Sequence, residues 1–316
     1  MAGGAGFIGS AFVDRLLGAD AVERVTVYDN LSSGSRWHLA AHEGDPRLRL
    51  VTADIVDMDS LADAMSGART VIHLASNPEI ARAATEPTID FDQGTVLTNN
   101  VVEAMRRTGA EQILYASGSG VYGDLGELEA HEDHGPLVPI STYGASKLAG
   151  EALISSYCHM FGMSGLVFRF GNVVGPRQTH GVGFDFVRRL VEDPHRLRIL
   201  GDGSQTKSYI DVQDVIDAVL LAADQPRRPL QAYNIATGDY ISVREIAEMA
   251  VDIVGTRGVT EFDYAGGSRG WKGDVPVVRL NTDRIRALGW SNRWSSRDAL
   301  RESMTAMLAE AQATRA

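Results

Sequence analysis

The chain opens with MAGGAGFIGS (Met1 to Ser10), and the spacing of Gly3, Gly6 and Gly9 decides how the rest is read. A Gly-x-x-Gly-x-x-Gly run sits where a β-strand turns into a helix. Glycine there permits a tight turn and lets the backbone approach a pyrophosphate, which then rests on the positive end of the helix. Residues Ala11 to Leu17 read as the start of that helix, but only Met1 and Ala2 precede the run. The strand that should feed it would be central in a sheet covered on both faces. Each buried backbone group left unpaired there costs on the order of 1–3 kcal/mol. The expectation is therefore a chain short at its N-terminus by about five to eight residues, one ordinary strand.

Working outward, strand-like runs follow at VTVYD (Val25 to Asp29), LRLVTAD (Leu48 to Asp54), TVIHLA (Thr70 to Ala75), QILYAS (Gln112 to Ser117) and GLVFRF (Gly165 to Phe170). Helix-length segments lie between most of them: Asp57 to Met65, Thr95 to Thr108 and Tyr143 to Phe161. Near-continuous Val/Ile/Leu strands alternating with helices predict right-handed βαβ units in a doubly wound parallel α/β sheet. Beyond Phe170 the pattern is less regular, which predicts a Rossmann-type domain over 1–170 and a smaller α/β lobe over 171–316.

Composition narrows the class. The 316 residues are 44% hydrophobic and 22% charged, enough for one large core or two unequal ones. No apolar run approaches the roughly 20 residues of a membrane span, and no signal-peptide pattern opens the chain. The single cysteine, Cys158, fits a reducing cytoplasm. A net charge of −11 argues against a nucleic-acid surface. The eight histidines are scattered, with no metal-ligand spacing, so no metal is expected.

Two constellations carry chemistry. Asp29 ends the second predicted strand twenty residues after Gly9, where a carboxylate accepts both adenosine ribose hydroxyls and repels a 2′-phosphate. This favours NAD over NADP, with Arg36 the one nearby residue pulling the other way. Tyr143 and Lys147, in Tyr-Gly-Ala-Ser-Lys, lie four apart and share one helix face. Bringing a phenol from a pKa of ~10 to near neutrality takes on the order of 4 kcal/mol, which one buried cation and a positive nicotinamide together can supply.

With GGAGFIGS, YDNLSSG, HLA, VYGD, STYGASKLAGE, RFGNVVGPRQTHG, ILGDGSQTKSYIDVQDV and RGWKGDVP all present, the chain resembles the extended short-chain dehydrogenases/reductases that act on nucleotide sugars, in particular the UDP-glucose 4-epimerase-like members. The resemblance implies a Rossmann-type lobe holding NAD, a C-terminal lobe holding the nucleotide sugar, and a homodimer. It places Phe7, Ile8, Asn30, Ser33 and Gly34 on the cofactor side, Asp54 and Ile55 at adenine, and Leu74, Ala75 and Ser76 along the cofactor's middle. Asn172, Lys207, Arg269 and Asp274 fall to the sugar diphosphate, and Arg198 and Leu200 to the base. Tyr143 would act as the acid–base group at the sugar 4-hydroxyl, with Lys147 lowering its pKa.

Three positions depart from that pattern. The hydroxyl residue four before the tyrosine of Val-Tyr-Gly is Gly118, leaving Ser119 or Ser117 to meet the 4-hydroxyl. Gln93-Gly94 replaces an asparagine pair, and Trp271 replaces an arginine, leaving Arg269 or Lys272 for the diphosphate. A 4,6-dehydratase would carry Asp-Glu where Ser119-Gly120 stand, and a decarboxylase a glutamate. Simple C4 epimerisation of a UDP-hexose is the favoured reading. A dehydratase, a decarboxylase or a catalytically impaired NAD-binding relative are the alternatives.

Overall fold

Five of the expected strands form where the Val/Ile/Leu runs place them in the computed structural model, which describes residues 1–313. They are β1 (Val25–Asp29), β2 (Leu48–Thr52), β3 (Thr70–His73), β4 (Gln112–Gly118) and β5 (Ser164–Phe170). A sixth, β6 (Leu230–Ile235), pairs in parallel with β5. The helices α1 (Phe7–Leu17), α2 (Met58–Met65), α3 (Leu97–Thr108) and α4 (Thr142–Phe161) lie between the early strands as the spacing predicts. Side-chain caps set two of the starts: Asp57 accepts from Ser60 N at 3.1 Å before α2, and Ser141 from Gly144 N at 3.1 Å before α4.

The slot between β1 and β3 is held by Met1 and Ala2. Ala2 bridges in parallel to both Tyr28 and His73. Ala2 N donates to Ile72 O (2.9 Å), Leu74 N to Ala2 O (2.9 Å), and Tyr28 N to Met1 O (2.8 Å). The Met1 amino group donates to Thr26 O at 2.7 Å. Two residues thus join the β1–β2 pair to β3–β4–β5–β6, giving the all-parallel order β2, β1, Ala2, β3, β4, β5, β6.

Both faces are covered, as continuous apolar strands require. Ile72, Leu114 and Phe168 pack under α1 and α6 (Val212–Ala223), while the alternate residues Val71, Ile113 and Val167 pack under α2, α3 and α4. A separate core builds the second lobe from α5 (Val182–Glu192), α7 (Val243–Val254) and the helix Ser296–Ala313. Phe186, Leu190, Ile246, Leu300 and Met304 meet there.

The division expected at residue 170 is corrected: the chain leaves the main sheet after β5 but returns through α6 and β6 before completing the second lobe. The sequence of β6, LQAYNI, hides this because Gln231 and Asn234 interrupt its apolar run. Yet β5 is apolar and would otherwise be an open edge.

Candidate active site

The glycine loop caps the carboxyl end of the sheet. Gly3 has a φ of +80°, and a Cβ there would lie 2.7 Å from Ala75 N. At Gly9 a Cβ would run into Gly3 O and the Gly4 backbone, so helix and turn meet only because both residues lack one. Gly6 is the N-cap of α1, with no side-chain cap and no acidic residue in the first turn. The helix therefore presents its positive end toward the cleft, flanked by Phe7 and Ile8. Asp29, at the end of β1, is buried; it accepts from Ala5 N at 2.9 Å and Leu31 N at 2.9 Å. Gly34 packs against Asp29 and Ala5, and exposed Ser33 precedes it. Asn30 donates to Asp54 at 2.9 Å, and both are exposed at the rim. Ile55 differs: its side chain is buried in the core, leaving only its backbone for an adenine ring. A concave backbone, an uncapped helix end and a carboxylate at its foot fit the diphosphate and ribose of a dinucleotide.

Tyr143 and Lys147 share one face of α4, as their spacing predicts. Lys147 is buried, donates from Nζ to Ala116 O at 2.8 Å, and sits 5.5 Å from the centre of the Tyr143 ring. Burial pulls its pKa down to about 8, opposed by the Asp90 and Glu151 charges. Burial pushes the Tyr143 phenol up to about 12; a hydrogen bond with Ser76 opposes this, and Asp90 adds to it. Within the protein itself, Lys147 therefore does not bring the phenol to neutrality. Ser76, expected along the cofactor with Leu74 and Ala75, also touches the phenol.

At the end of β4 the structure separates the two candidate serines. Ser117 is buried, and its hydroxyl donates to Glu151 Oε1 at 2.6 Å. Glu151 is paired with Arg169 at 2.7 Å, and Arg169 donates to Tyr122 Oη at 2.9 Å. Ser117 thus belongs to a buried network, which leaves Ser119 the more open of the two. Ser119 is half-buried in the turn after β4. That turn is pinned to α4 at Gly120 and Gly144, where a Cβ on Gly144 would lie 2.5 Å from Gly120 O. At Gly118 the backbone is extended and a Cβ would meet nothing within 4 Å.

Substrate-side residues converge on Asp274. Lys207 pairs with its Oδ1 at 2.6 Å, and Gly270 N donates to its Oδ2 at 3.0 Å. Arg269 donates to its carbonyl and, at 2.7 Å, to Asp124. Lys207 is therefore not a solvated surface lysine. Asn172 donates to Ser208 O at 3.2 Å, one residue along from Lys207. Leu200 is exposed beside Gly270. Arg198 lines a surface depression together with Leu200, Arg189, Arg196, Glu192 and Asp193.

One departure noted in the sequence gains a physical reason, and one feature lay beyond sequence reasoning. Gly94, in place of an asparagine, sits in an irregular turn over Phe91–Val96, where a Cβ would collide with the Ser146 hydroxyl. Asp90, just before that turn, is buried between Asn77 and Thr142. Its partners lie 13 and 52 residues away in the chain, so no local pattern marks it.

Residues 1–236 match the profile of the NAD dependent epimerase/dehydratase family. A UDP-glucose 4-epimerase of Mycolicibacterium smegmatis is 35% identical over 296 residues, covering 91% of each chain. The crystal structure of a UDP-galactose 4-epimerase superposes with a TM-score of 0.86 at 35% identity, covering 98% of both chains. A dTDP-glucose 4,6-dehydratase from Streptomyces venezuelae, solved with NAD bound, gives 0.90 at 26% identity, covering 99% of this chain and 97% of that one.

Proposed function

The chain belongs to the NAD dependent epimerase/dehydratase family, and from that premise we propose that it inverts C4 of a UDP-hexose through a transient 4-keto sugar. The observation that carries this reading is the Tyr143–Lys147 pair beside a turn, Ser119-Gly120, that holds no carboxylate. A dehydratase needs an acid and a base there to remove water.

NAD held there would supply a reversible hydride acceptor for C4 and the positive charge of its oxidised ring. The glycine loop and the end of α1 hold the diphosphate, and Asp29 holds the adenosine ribose. Lys147, charged at neutral pH, holds the nicotinamide ribose and, with that second cation, offsets the burial that keeps Tyr143 protonated. Tyr143 then takes the 4-hydroxyl proton and returns it after the sugar has turned. Lys207 and Arg269 neutralise the sugar diphosphate, with Asn172 adding a donor. The base lies beside Leu200, and uridine is favoured by the relatives' substrates.

The working state on this reading is a cytoplasmic homodimer, checked by sedimentation and cell fractionation. Among the described residues no helix is long and apolar enough to cross a membrane. The test of function is incubation with UDP-galactose and, separately, UDP-glucose. Interconversion without net NADH is expected. A 4-keto-6-deoxy product would replace this reading with the dehydratase one.

A further inference from the structure

Asp90 has no role in the reaction as described, yet it is 1% exposed and lies between the two segments that meet at the Tyr143 phenol. Its Oδ1 accepts from Asn77 Nδ2 at 2.8 Å, and its Oδ2 from Thr142 Oγ1 at 2.7 Å. Asn77 follows Ser76, whose hydroxyl meets the phenol, and Thr142 precedes Tyr143. One carboxylate therefore ties the loop after β3 to the first turn of α4 on both sides of the reacting group. Asn77 is itself fixed, accepting from Glu79 N at 3.0 Å.

Both of these donors are neutral, so the charge of Asp90 is felt by its surroundings rather than cancelled in a contact pair. The ionisable groups facing this space are Lys147 and Tyr143 on α4, Glu151 one turn further on and engaged by Arg169 and Ser117, Tyr115 on β4 under the Lys147 ammonium, and buried His73 at the end of β3, its ring 5.4 Å from that of Tyr115.

We propose that Asp90 is a positioning residue of the active centre, clamping the Ser76 loop to the Tyr143 turn and holding a buried negative charge at that junction. This rests on the reading of Tyr143 as the acid–base group. The Asp90 charge opposes the pull of Lys147 and the nicotinamide on the phenol, and the phenolate that those cations form is the stronger proton acceptor for it.

Two variants separate charge from clamp in the NAD-loaded protein. Asp90→Asn keeps the shape and removes the charge. The Tyr143 ionisation midpoint, followed by carbon-13 tyrosine NMR and assigned by its loss in Tyr143→Phe, should fall by about one pH unit. Both limbs of the pH–rate profile should move the same way. Thr142→Val keeps the charge and cuts the clamp, so kcat should drop about tenfold, the scale of one lost hydrogen bond, with the midpoint unmoved. An unmoved midpoint in Asp90→Asn, or full kcat in Thr142→Val, overturns the proposal. If Asp90→Asn does not fold, Thr142→Val decides alone. Should the wild-type protein fail to interconvert the UDP-hexoses, the functional reading falls, while the Tyr143 titration still decides the electrostatic role of Asp90.

Discussion

At the scale of single residues, the phenol of Tyr143 is the group on which turnover depends. Ser76 meets it and the Lys147 ammonium lies 5.5 Å from its ring centre, neither of which needs the phenol to stay in place, so removing the hydroxyl should leave fold and cofactor content intact. Tyr143→Phe is expected to lose at least about 10²-fold in kcat, the usual scale of acid–base catalysis, while retained NAD is unchanged. Near-normal turnover would assign the proton transfer elsewhere. The two serines should part company. Ser119→Ala is expected to lower kcat with an unaltered melting temperature, because its side chain stands in the half-open turn. Ser117→Ala should do the reverse. It removes one buried donor from a carboxylate that Arg169 still holds, a loss of about 1–3 kcal/mol visible in urea denaturation. If Ser117→Ala costs more activity than Ser119→Ala at equal stability, the 4-hydroxyl contact belongs to Ser117 after all.

At the scale of elements, the short central strand has a measurable consequence. In a polypeptide that starts at Met1, burial lowers the pKa of the amino group from 8.0 to about 5. Between those values the unfolded chain binds the proton that the folded chain does not, so stability rises with pH. The contribution is complete above about pH 8 and is lost progressively as pH falls toward 5. Three units at 1.36 kcal/mol each put the loss at about 4 kcal/mol. Urea denaturation at pH 8, 6.5 and 5 should show this slope. A short Val/Ile-rich extension before Met1 should flatten it and raise the melting temperature, because an amide replaces the amine and further ladder bonds form. An identical pH slope with and without the extension would show that the Met1 amine stays hydrated. The elements themselves were largely legible: β1 to β5 and α2 to α4 lie where their periodicities put them, since continuous apolar strands and amphipathic helices are local patterns. The strand β6 was not, because Gln231 and Asn234 break its run and only pairing with β5 defines it.

At the scale of the whole molecule, the substrate side depends on lobes that meet through charged contacts. Arg177, from the loop after β5, donates to His38 O at 2.9 Å and pairs with Asp14 on α1. Arg269 reaches Asp124 in the turn region after β4. Lys207 and Asp274 come together across 67 residues of sequence. Lys207→Met should raise the KM for the UDP-hexose about tenfold or more while kcat changes little. A charge-assisted contact is worth about 1.5–3 kcal/mol, and this one acts on the diphosphate rather than on C4. Steady-state kinetics in the NAD-loaded protein checks it, and an unchanged KM would reduce Lys207 to a structural partner of Asp274.

What the sequence by itself determined are the features whose physics is local. The turn at Gly3 and Gly9 requires residues without a Cβ, the carboxylate of Asp29 ends its own strand, and four-residue spacing on one helix puts Tyr143 beside Lys147. Tertiary structure alone decided which groups are buried together. It withdrew Ser117 into a network with Glu151 and Arg169, gathered Lys207, Arg269 and Asp274, and set Asp90 between Asn77 and Thr142 beside the phenol. Desolvation and charge–charge coupling depend on distances through space, and those arise only when segments far apart in the chain close on one another.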